Sequence, residues 1–538
     1  MRVLLRSSSS YRQSLACLFL PSILMSFAGI SISLTLAPLP SFAQDSSSPS
    51  TLRVQSQLVV LDVVVTDAQG SVVTNLDRSD FSIYQNGAAQ DIRNFDAPEK
   101  TSSIPEKAPK DKYGRDDWGN APLTMFVIDA MNTPFEETAY SREEIDRYLK
   151  AQPALLKQPA IILWLNDAGF HPVTALSRDR DALISAIDSH KASLTGKLNR
   201  GAVVEQLSAS LSALQQMALF SRGNKGSKQI IWVGRSFPGV NGTLLNGTQL
   251  DLLKKAVGST LDLLMASRTS VYVIDPTINT KPLPEDPVSN IVNPNVITQF
   301  ASDDPFATSF SFMEFVKQTG GKYFYGRNDL NNEIESSITR ATNSYTLSYV
   351  PSDTIQDDKY RKIDIRLRDP KLVVQAKQGY YPASQPTNIL SAKDLQFGLH
   401  EAIVSGMVYN GVGLRLEHCQ LDANRISTSC NAIVDNGSLT SVSGSGDSQR
   451  TSIVAVISAL DSKSVLVANK VYKFGLNIPD QPAQNSFTNI PLHITIPPNA
   501  KIVRVAIRDI SGRIGTADLD PSLVKGLIAT DPVAKKIR

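Results

Sequence analysis

Cysteine and histidine are scarce in this chain, three of the first and five of the second in 538 residues. No Cys-x-x-Cys pair and no His-Glu-x-x-His run occurs, so zinc chemistry at the familiar spacings lacks support. A Gly-rich phosphate loop is also missing, which removes the commonest nucleotide-binding signature. The formal charge of +3 is small for the length, and no basic patch marks the chain for nucleic acid. Gly234-Arg-Ser236-Phe-Pro-Gly239 follows a strand-like run, yet Phe237 and Pro238 break the Gly-x-Ser-x-Gly spacing of a hydrolase nucleophile elbow. A triad would also need a late histidine, and His400, His418 and His493 all fall in β-rich sequence. These absences argue against an enzyme.

Acidic residues are missing from the first 43 positions, where Arg2, Arg6 and Arg12 precede an apolar stretch from about Leu15 to Leu39. Ser41-Phe42-Ala43 then sets small residues at both positions that a signal peptidase reads. Residues 1–43 are therefore expected to be a secretory signal cut after Ala43. The alternative is a retained membrane anchor, because the apolar stretch is near the ~20 residues that a spanning helix needs. Cleavage removes three positive charges and leaves a mature chain close to neutral. Cys419 and Cys430 are then the remaining cysteines, placed to staple a β-hairpin in a compartment that permits disulfides.

What is present is ordinary globular sequence, 42% hydrophobic and 20% charged, in a length that suggests about three or four domains. Residues 50–97 read as a small all-β domain of sandwich type. Leu58–Thr66 is β-branched and apolar, Asp67-Ala-Gln-Gly70 is a turn, and Asn86-Gly87 supplies a hairpin before Gln90–Phe95. A run rich in Pro, Lys, Asp and Glu makes 98–122 a linker. From Leu123 short apolar strands alternate with helical stretches, the pattern of a parallel sheet covered on both faces. Strands are expected at Leu123–Ile128, Ala160–Leu165, Gln229–Val233, Ser270–Ile274 and Gly320–Tyr325. Helices are expected at Ser141–Lys150, Arg178–His190, Val203–Phe220, Leu250–Ser267, Ser311–Gln318 and Asp329–Arg340. The fold class is thus α/β, doubly wound and Rossmann-like over 123–343. A β-hairpin extension of that domain is expected over 344–384, and a second β-sandwich over 390–538.

Several motifs stand in order along residues 58–382: the Asp-x-x-Gly turn, Asp80-Phe81, Asn86-Gly87, Gln229–Val233 with Phe237-Pro238, Val271–Pro276, Thr319-Gly-Gly321, Tyr345–Tyr349, Tyr360–Ile363 and Gly379-Tyr-Tyr381. In this the chain resembles the von Willebrand factor type A-related proteins found widely in Acidobacteria. The resemblance implies a type A central domain whose general role is binding another protein, often through a divalent cation such as Mg²⁺ at the carboxyl ends of the strands. The family's cation motif, Asp-x-Ser-x-Ser, corresponds here to Asp129-Ala-Met131-Asn-Thr133. Asp129 and Thr133 match, whereas Met131 replaces a hydroxyl with a thioether, a poor ligand for a hard ion. Thr195 is a candidate for the family's loop threonine, and Gly234-Arg-Ser236 offers no carboxylate for its later aspartate. The alternative for Asp129 is a cap that accepts backbone N–H bonds. The implied function is recognition or adhesion of an unknown protein ligand outside the cytoplasm, with Asn132, Pro134, Arg235 and Ser236 on the contact rim. Tyr345, Tyr349, Tyr380 and Tyr381 are expected to fill a seam between a sheet and its neighbour.

Overall fold

The computed structural model describes residues 58–519, apart from 99–107, 112–115, 168, 191–202, 238, 242–244, 278–303, 308, 327–328, 354, 356, 358, 383–391, 422–426, 444–447 and 480–485. The expected signal segment, Cys17, Thr195 and Pro238 lie outside the described residues. Those described belong to one compact unit that begins at Ser56, and no helix among them is long and apolar enough to cross a membrane.

The chain opens with β1 (Val59–Thr66), β2 (Phe81–Gln85), β3 (Ala88–Gln90) and β4 (Ile92–Asp96). Strands β2 and β3 form an antiparallel hairpin. Asn86 and Gly87 turn it with φ of 48° and 82°, the left-handed geometry that an Asn-Gly pair adopts at low cost.

The central domain follows as β5 (Leu123–Asp129), α1 (Phe135–Ala151), β6 (Leu155–Asn166), β7 (Gly169–Pro172), β8 (Ser177–Asp179), α2 (Arg180–Ser189), α3 (Val203–Ser221), β9 (Lys228–Val233), β10 (Val240–Asn241), α4 (Gly247–Ala266), β11 (Thr269–Ile274), β12 (Ser309–Phe310), α5 (Phe312–Gln318), β13 (Tyr323–Phe324) and α6 (Leu330–Thr342). Its sheet runs β13-β11-β9-β5-β6-β7. The first five strands are parallel, and β7 and β8 pair antiparallel with β6. Successive side chains go to opposite faces. Met125, Val127, Ile230 and Trp232 enter one core with Leu214 of α3 and Leu261 of α4. Phe126, Ile128, Ile231 and Val233 enter the other with Ile145 of α1 and Ile334 of α6. Because both faces are covered, these strands carry continuous apolar runs, such as Met125–Ile128 and Ile230–Val233, rather than alternating ones.

Next come β14 (Tyr345–Tyr349), β15 (Arg361–Leu367), β16 (Val373–Gln375) and β17 (Gly379–Tyr380). The expected hairpin extension of the central domain is corrected here. Strand β14 lies between β1 and β4, and β16 pairs with β1, in a sheet ordered β16-β1-β14-β4. Strand β15 pairs with β2 in a second sheet, β17-β15-β2-β3. The two sheets share a core of Leu61, Val63, Phe81, Ile83, Leu347 and Ile363. This sandwich is therefore built from both ends of the segment that encloses the central domain. Tyr345, Tyr349 and Tyr380 help to fill it, Tyr349 and Tyr380 both donating to Gln85 Oε1, at 2.8 and 3.1 Å, whereas Tyr381 packs against the central core. At the seam with the central sheet, the Arg268 guanidinium bonds Asp62 and Thr346, beside Lys228 and Lys377, each 4% exposed. Burial, then the nearby Arg268 charge, lowers Lys228 to about 7.

The C-terminal part has α7 (Ala392–Val404), β18 (Leu414–Leu421), β19 (Ser427–Asp435), β20 (Val442–Ser443), β21 (Ser448–Leu460), β22 (Leu466–Pro479), β23 (Phe487–Thr495), β24 (Ile502–Asp509) and β25 (Ile514–Asp518). One sheet is β18-β19-β23, and the other is β20-β21-β24-β25 with β22 along β21. Ala432, Ile453, Ile457, Ile490 and Val505 are among the side chains between them. Cys419 and Cys430 are disulfide-bonded across β18 and β19, with Cα atoms 4.2 Å apart. Helix α7 ties this sandwich to the rest: Leu399 and Ile403 pack on Val454 and Ala506, while Ala402 reaches the central core.

Candidate functional site

Strand β5 has β6 on one side and β9 on the other, so the chain reverses its direction of growth between β5 and β9. In open α/β sheets, ligands bind in the crevice beyond the strand carboxyl ends at this reversal. Asp129 closes β5, and Gly234-Arg235-Ser236 follows β9, so the sequence-derived candidates meet there.

Asp129 is 1% exposed and turns the loop that follows it. Its Oδ1 accepts the backbone N–H of Met131 at 3.2 Å and of Asn132 at 2.9 Å, an Asx-type turn. The Asn132 side-chain amide donates to both carboxylate oxygens, at 3.1 and 2.9 Å, and also faces Ser210 Oγ at 3.2 Å. Trp232 Nε1 donates to Oδ2 at 3.0 Å. Burial raises the Asp129 pKa above the ordinary carboxylate value, and these N–H donors offset part of the rise. Because both oxygens of Asp129 are acceptors, the amide nitrogen of Asn132 must face them. That leaves Asn132 Oδ1 buried without a hydrogen-bond partner.

The two loops interlock. Thr133, 2% exposed, accepts the Arg235 backbone N–H on its hydroxyl at 2.9 Å. A Cβ on Gly234 would lie 2.6 Å from Asp129 Cβ and 2.7 Å from Thr133 Oγ1, so only glycine fits. The Arg235 guanidinium forks onto the carboxylate of Glu137, in the first turn of α1. Ser236 adopts a φ of 68°, a left-handed conformation uncommon outside glycine. Its hydroxyl lies 3.3 Å from the Tyr323 hydroxyl, which donates to Asp275 Oδ2 at 3.0 Å. Burial and the neighbouring Asp275 carboxylate both push the Tyr323 pKa up.

Two expectations for this region change. Asn132, expected on the contact rim, is 8% exposed and directed inward onto Asp129; the unpaired carboxylate in an apolar strand end attracts its amide. Pro134 and Ser236 are half-buried, and Arg235 is exposed on the rim. The cation site also fails on chemistry. A hard divalent ion needs about six oxygen ligands with free lone pairs. Here the Asp129 oxygens and the Thr133 hydroxyl are occupied by N–H donors, and Met131 packs against the core. Among the described residues no group of three His, Cys, Asp or Glu side chains is placed to hold a metal. The residues present do not fit Mg²⁺ at Asp129 and Thr133.

Trp232, Glu137, Asp275, Tyr323 and Ser210 were not legible as members of this site. Asp275 stands directly after an apolar strand, the same position as Asp129, and that was the one usable signal.

No protein-family model matches the sequence, and no curated protein matches it. Among solved structures, the chain is similar to proximal thread matrix protein 1 of the mussel byssus over 29% of this chain and 38% of that one, at 10% identity and a TM-score of 0.20. It is also similar to the VWA domain of SpRpn10 over 30% of this chain and 90% of that one, at 15% identity and a TM-score of 0.16. A third likeness, to the Pseudomonas fluorescens alkylpurine DNA glycosylase AlkC, covers 24% of this chain and 38% of that one, at 14% identity and a TM-score of 0.14. The chain thus spans well under half of the first protein's length, and these low scores carry no argument about activity. What stands is a mixed α/β protein with a Rossmann-like parallel sheet and β-sandwiches.

Proposed function

We propose that this is an exported protein of the von Willebrand factor type A-related kind that recognises another protein through the rim beyond β5 and β9, without a bound cation. The observation that carries this reading is the interlock of the two rim loops. Thr133 and Glu137 together fix the backbone and guanidinium of Arg235, whose side chain is 42% exposed. A rigid, solvent-facing arginine on a rim is a binding feature, since little entropy is lost on contact. Turnover has less support: the hydroxyl nearest Ser236 belongs to Tyr323, and a tyrosine with a raised pKa is a weak general base. The disulfide supports export to an oxidising compartment.

A structural role in envelope assembly is the second reading. Val465 and Val471, 55% and 43% exposed on the β21–β22 hairpin, favour it as an apolar contact point. Affinity capture from envelope extract with the wild type, Arg235→Glu and Val471→Glu separates the two. Loss of the captured partner with Arg235→Glu alone supports rim recognition, and loss with Val471→Glu alone moves the function to the C-terminal hairpin. Labelling of Ser236 by an active-serine probe would overturn both in favour of a hydrolase.

A further inference from the structure

Two histidines face each other at the edge of the central sheet, outside the two rim loops. His171 lies on β7, the last strand of the sheet, directly across from Trp164 of β6. His190 caps the carboxyl end of α2. Both are half-buried. Their ring centroids stand 5.5 Å apart, and the His190 ring lies 4.7 Å from the indole of Trp164, itself 2% exposed. The Arg142 guanidinium of α1 stands 5.9 Å from the same indole. Helices α1 and α2 and strand β7 therefore meet around one buried indole.

The elements packed here supply no counter-charge. On α1, Glu143 and Glu144 bond Arg147, and Asp146 bonds Lys150. On α2, Asp188 is exposed and acts on Lys150, while Arg180 and Asp181 pair with each other at the far end of the helix. Strand β6 brings only Lys157, near its start, β7 brings no other charged side chain, and Asp167 in the turn between them is exposed. Glu205 of α3 is exposed as well. The carbonyls that end α2 are engaged: Ile187 O accepts Arg142 Nη2 at 2.7 Å and the His190 N–H at 3.3 Å, and Ala186 O accepts that N–H at 3.1 Å. Burial, and then the His190 charge, lower the His171 pKa, against a bond to the Gly169 backbone that favours the proton; burial, and then Arg142, lower that of His190. Near neutrality both rings are therefore uncharged and pack as aromatic surfaces.

We propose that His171 and His190 form an acid-sensitive latch: while neutral they hold α2 and the edge strand β7 against Trp164, and protonation below about pH 6 gathers three cations beside one indole and frees that edge of the sheet. A single cation over an indole is attracted to it, but the second and third repel the first with no carboxylate to offset them. Strand β7 is the element that yields, because its four residues pair with β6 alone and a short edge opens at lower free energy than the centre of a sheet. The native rings bind protons more weakly than the unfolded chain does. Their contribution to stability is thus fully present above the unfolded value near ~6.5 and is lost as pH falls through the native ones.

Imidazole NMR titration and native-state hydrogen exchange of the intact protein between pH 5 and 8 test the latch. Both rings are expected to titrate below the ordinary value, and in His190→Gln the His171 titration should move up toward ~6.5 because a repelling neighbour has gone. Protection factors for the amides of β7 and α2 should fall about tenfold between pH 7.5 and 5.5, while those of β5 and β9 in the sheet centre hold. The double variant His171→Gln, His190→Gln should lose that fall; if it does not fold as the wild type does, Arg142→Gln, which removes the third cation, should shrink it instead. Rings that titrate independently at the ordinary value, an edge that loses no more protection than the centre, or a fall that the glutamine variants leave unchanged would each overturn the latch.

Discussion

Replacing Asp129 with Asn separates a structural anchor from a cation ligand. The variant keeps size and shape but turns one acceptor oxygen into a donor. If the new amide nitrogen takes the Oδ1 position, it meets three N–H contacts, from Met131, Asn132 and the Asn132 side chain. At Oδ2 it meets two, from Asn132 and Trp232. The second orientation costs less, and it orphans the indole N–H of Trp232, a side chain with 0% exposure. Leaving a buried donor unsatisfied costs ~1–3 kcal/mol, and the Asn132 amide is weakened as well, against which the relief of a buried charge counts. A net loss of about 2 kcal/mol is expected, or about 4–8 °C in Tm for a domain of this size. The pH dependence has a definite sign. Burial raises the native pKa of Asp129, so its contribution is fully present below the unfolded value near ~3.9 and declines as pH rises through the native one. Asparagine does not titrate. The gap in Tm between wild type and variant should therefore be widest in acid and narrow toward neutrality. Scanning calorimetry from pH 4 to 8, with and without Mg²⁺, gives the answer. A variant that melts within about 1 °C of the wild type at every pH would refute the anchor. So would a saturable rise in wild-type Tm with Mg²⁺ that the variant lacks.

Gly234→Ala places a Cβ against Asp129 and Thr133 and should lower stability by about 3 kcal/mol through forced separation of the two loops; a loss of unfolding free energy under a quarter of that, read by denaturant titration, would show the loops are free to part. Lys228, lowered to about 7 by burial, opposes folding most when both states are protonated, at and below that pH, and the penalty fades as pH rises toward its unfolded value near ~10.4. Lys228→Met should thus raise Tm most at pH 7 or below, with a gain that shrinks by pH 9; a gain independent of pH would contradict the assigned cause. The double variant Cys419→Ser, Cys430→Ser opens a loop with a sequence separation of 11 and should cost about 2–3 kcal/mol on the chain-entropy account, read as a fall in Tm matched by the reduced wild type.

Local chemistry made much of the central domain legible. A strand buried on both faces is apolar over most of its length, so Gln229–Val233 and Ser270–Ile274 were visible by their apolar runs Ile230–Val233 and Val271–Ile274, and amphipathic stretches marked the helices between them. The Asn86-Gly87 turn was legible because few other pairs tolerate its backbone. The departure of Met131 from the cation motif was already a statement about ligand chemistry. Pairing between distant segments was not legible. The period-two alternation of residues 344–384 says that they are strands, but not that β14 lies between β1 and β4, since an edge carries no record of which partner it meets. The fate of Asp129 was hidden for the same reason. Its pairing with Trp232 and the inward turn of Asn132 depend on β5 and β9 lying side by side, a contact between residues about a hundred positions apart. By itself the sequence determined which segments form strands and helices and which side chains they carry to the strand ends. Only the tertiary structure decided which of those side chains bond one another, because hydrogen bonds between distant positions belong to the assembled strands and to no single segment.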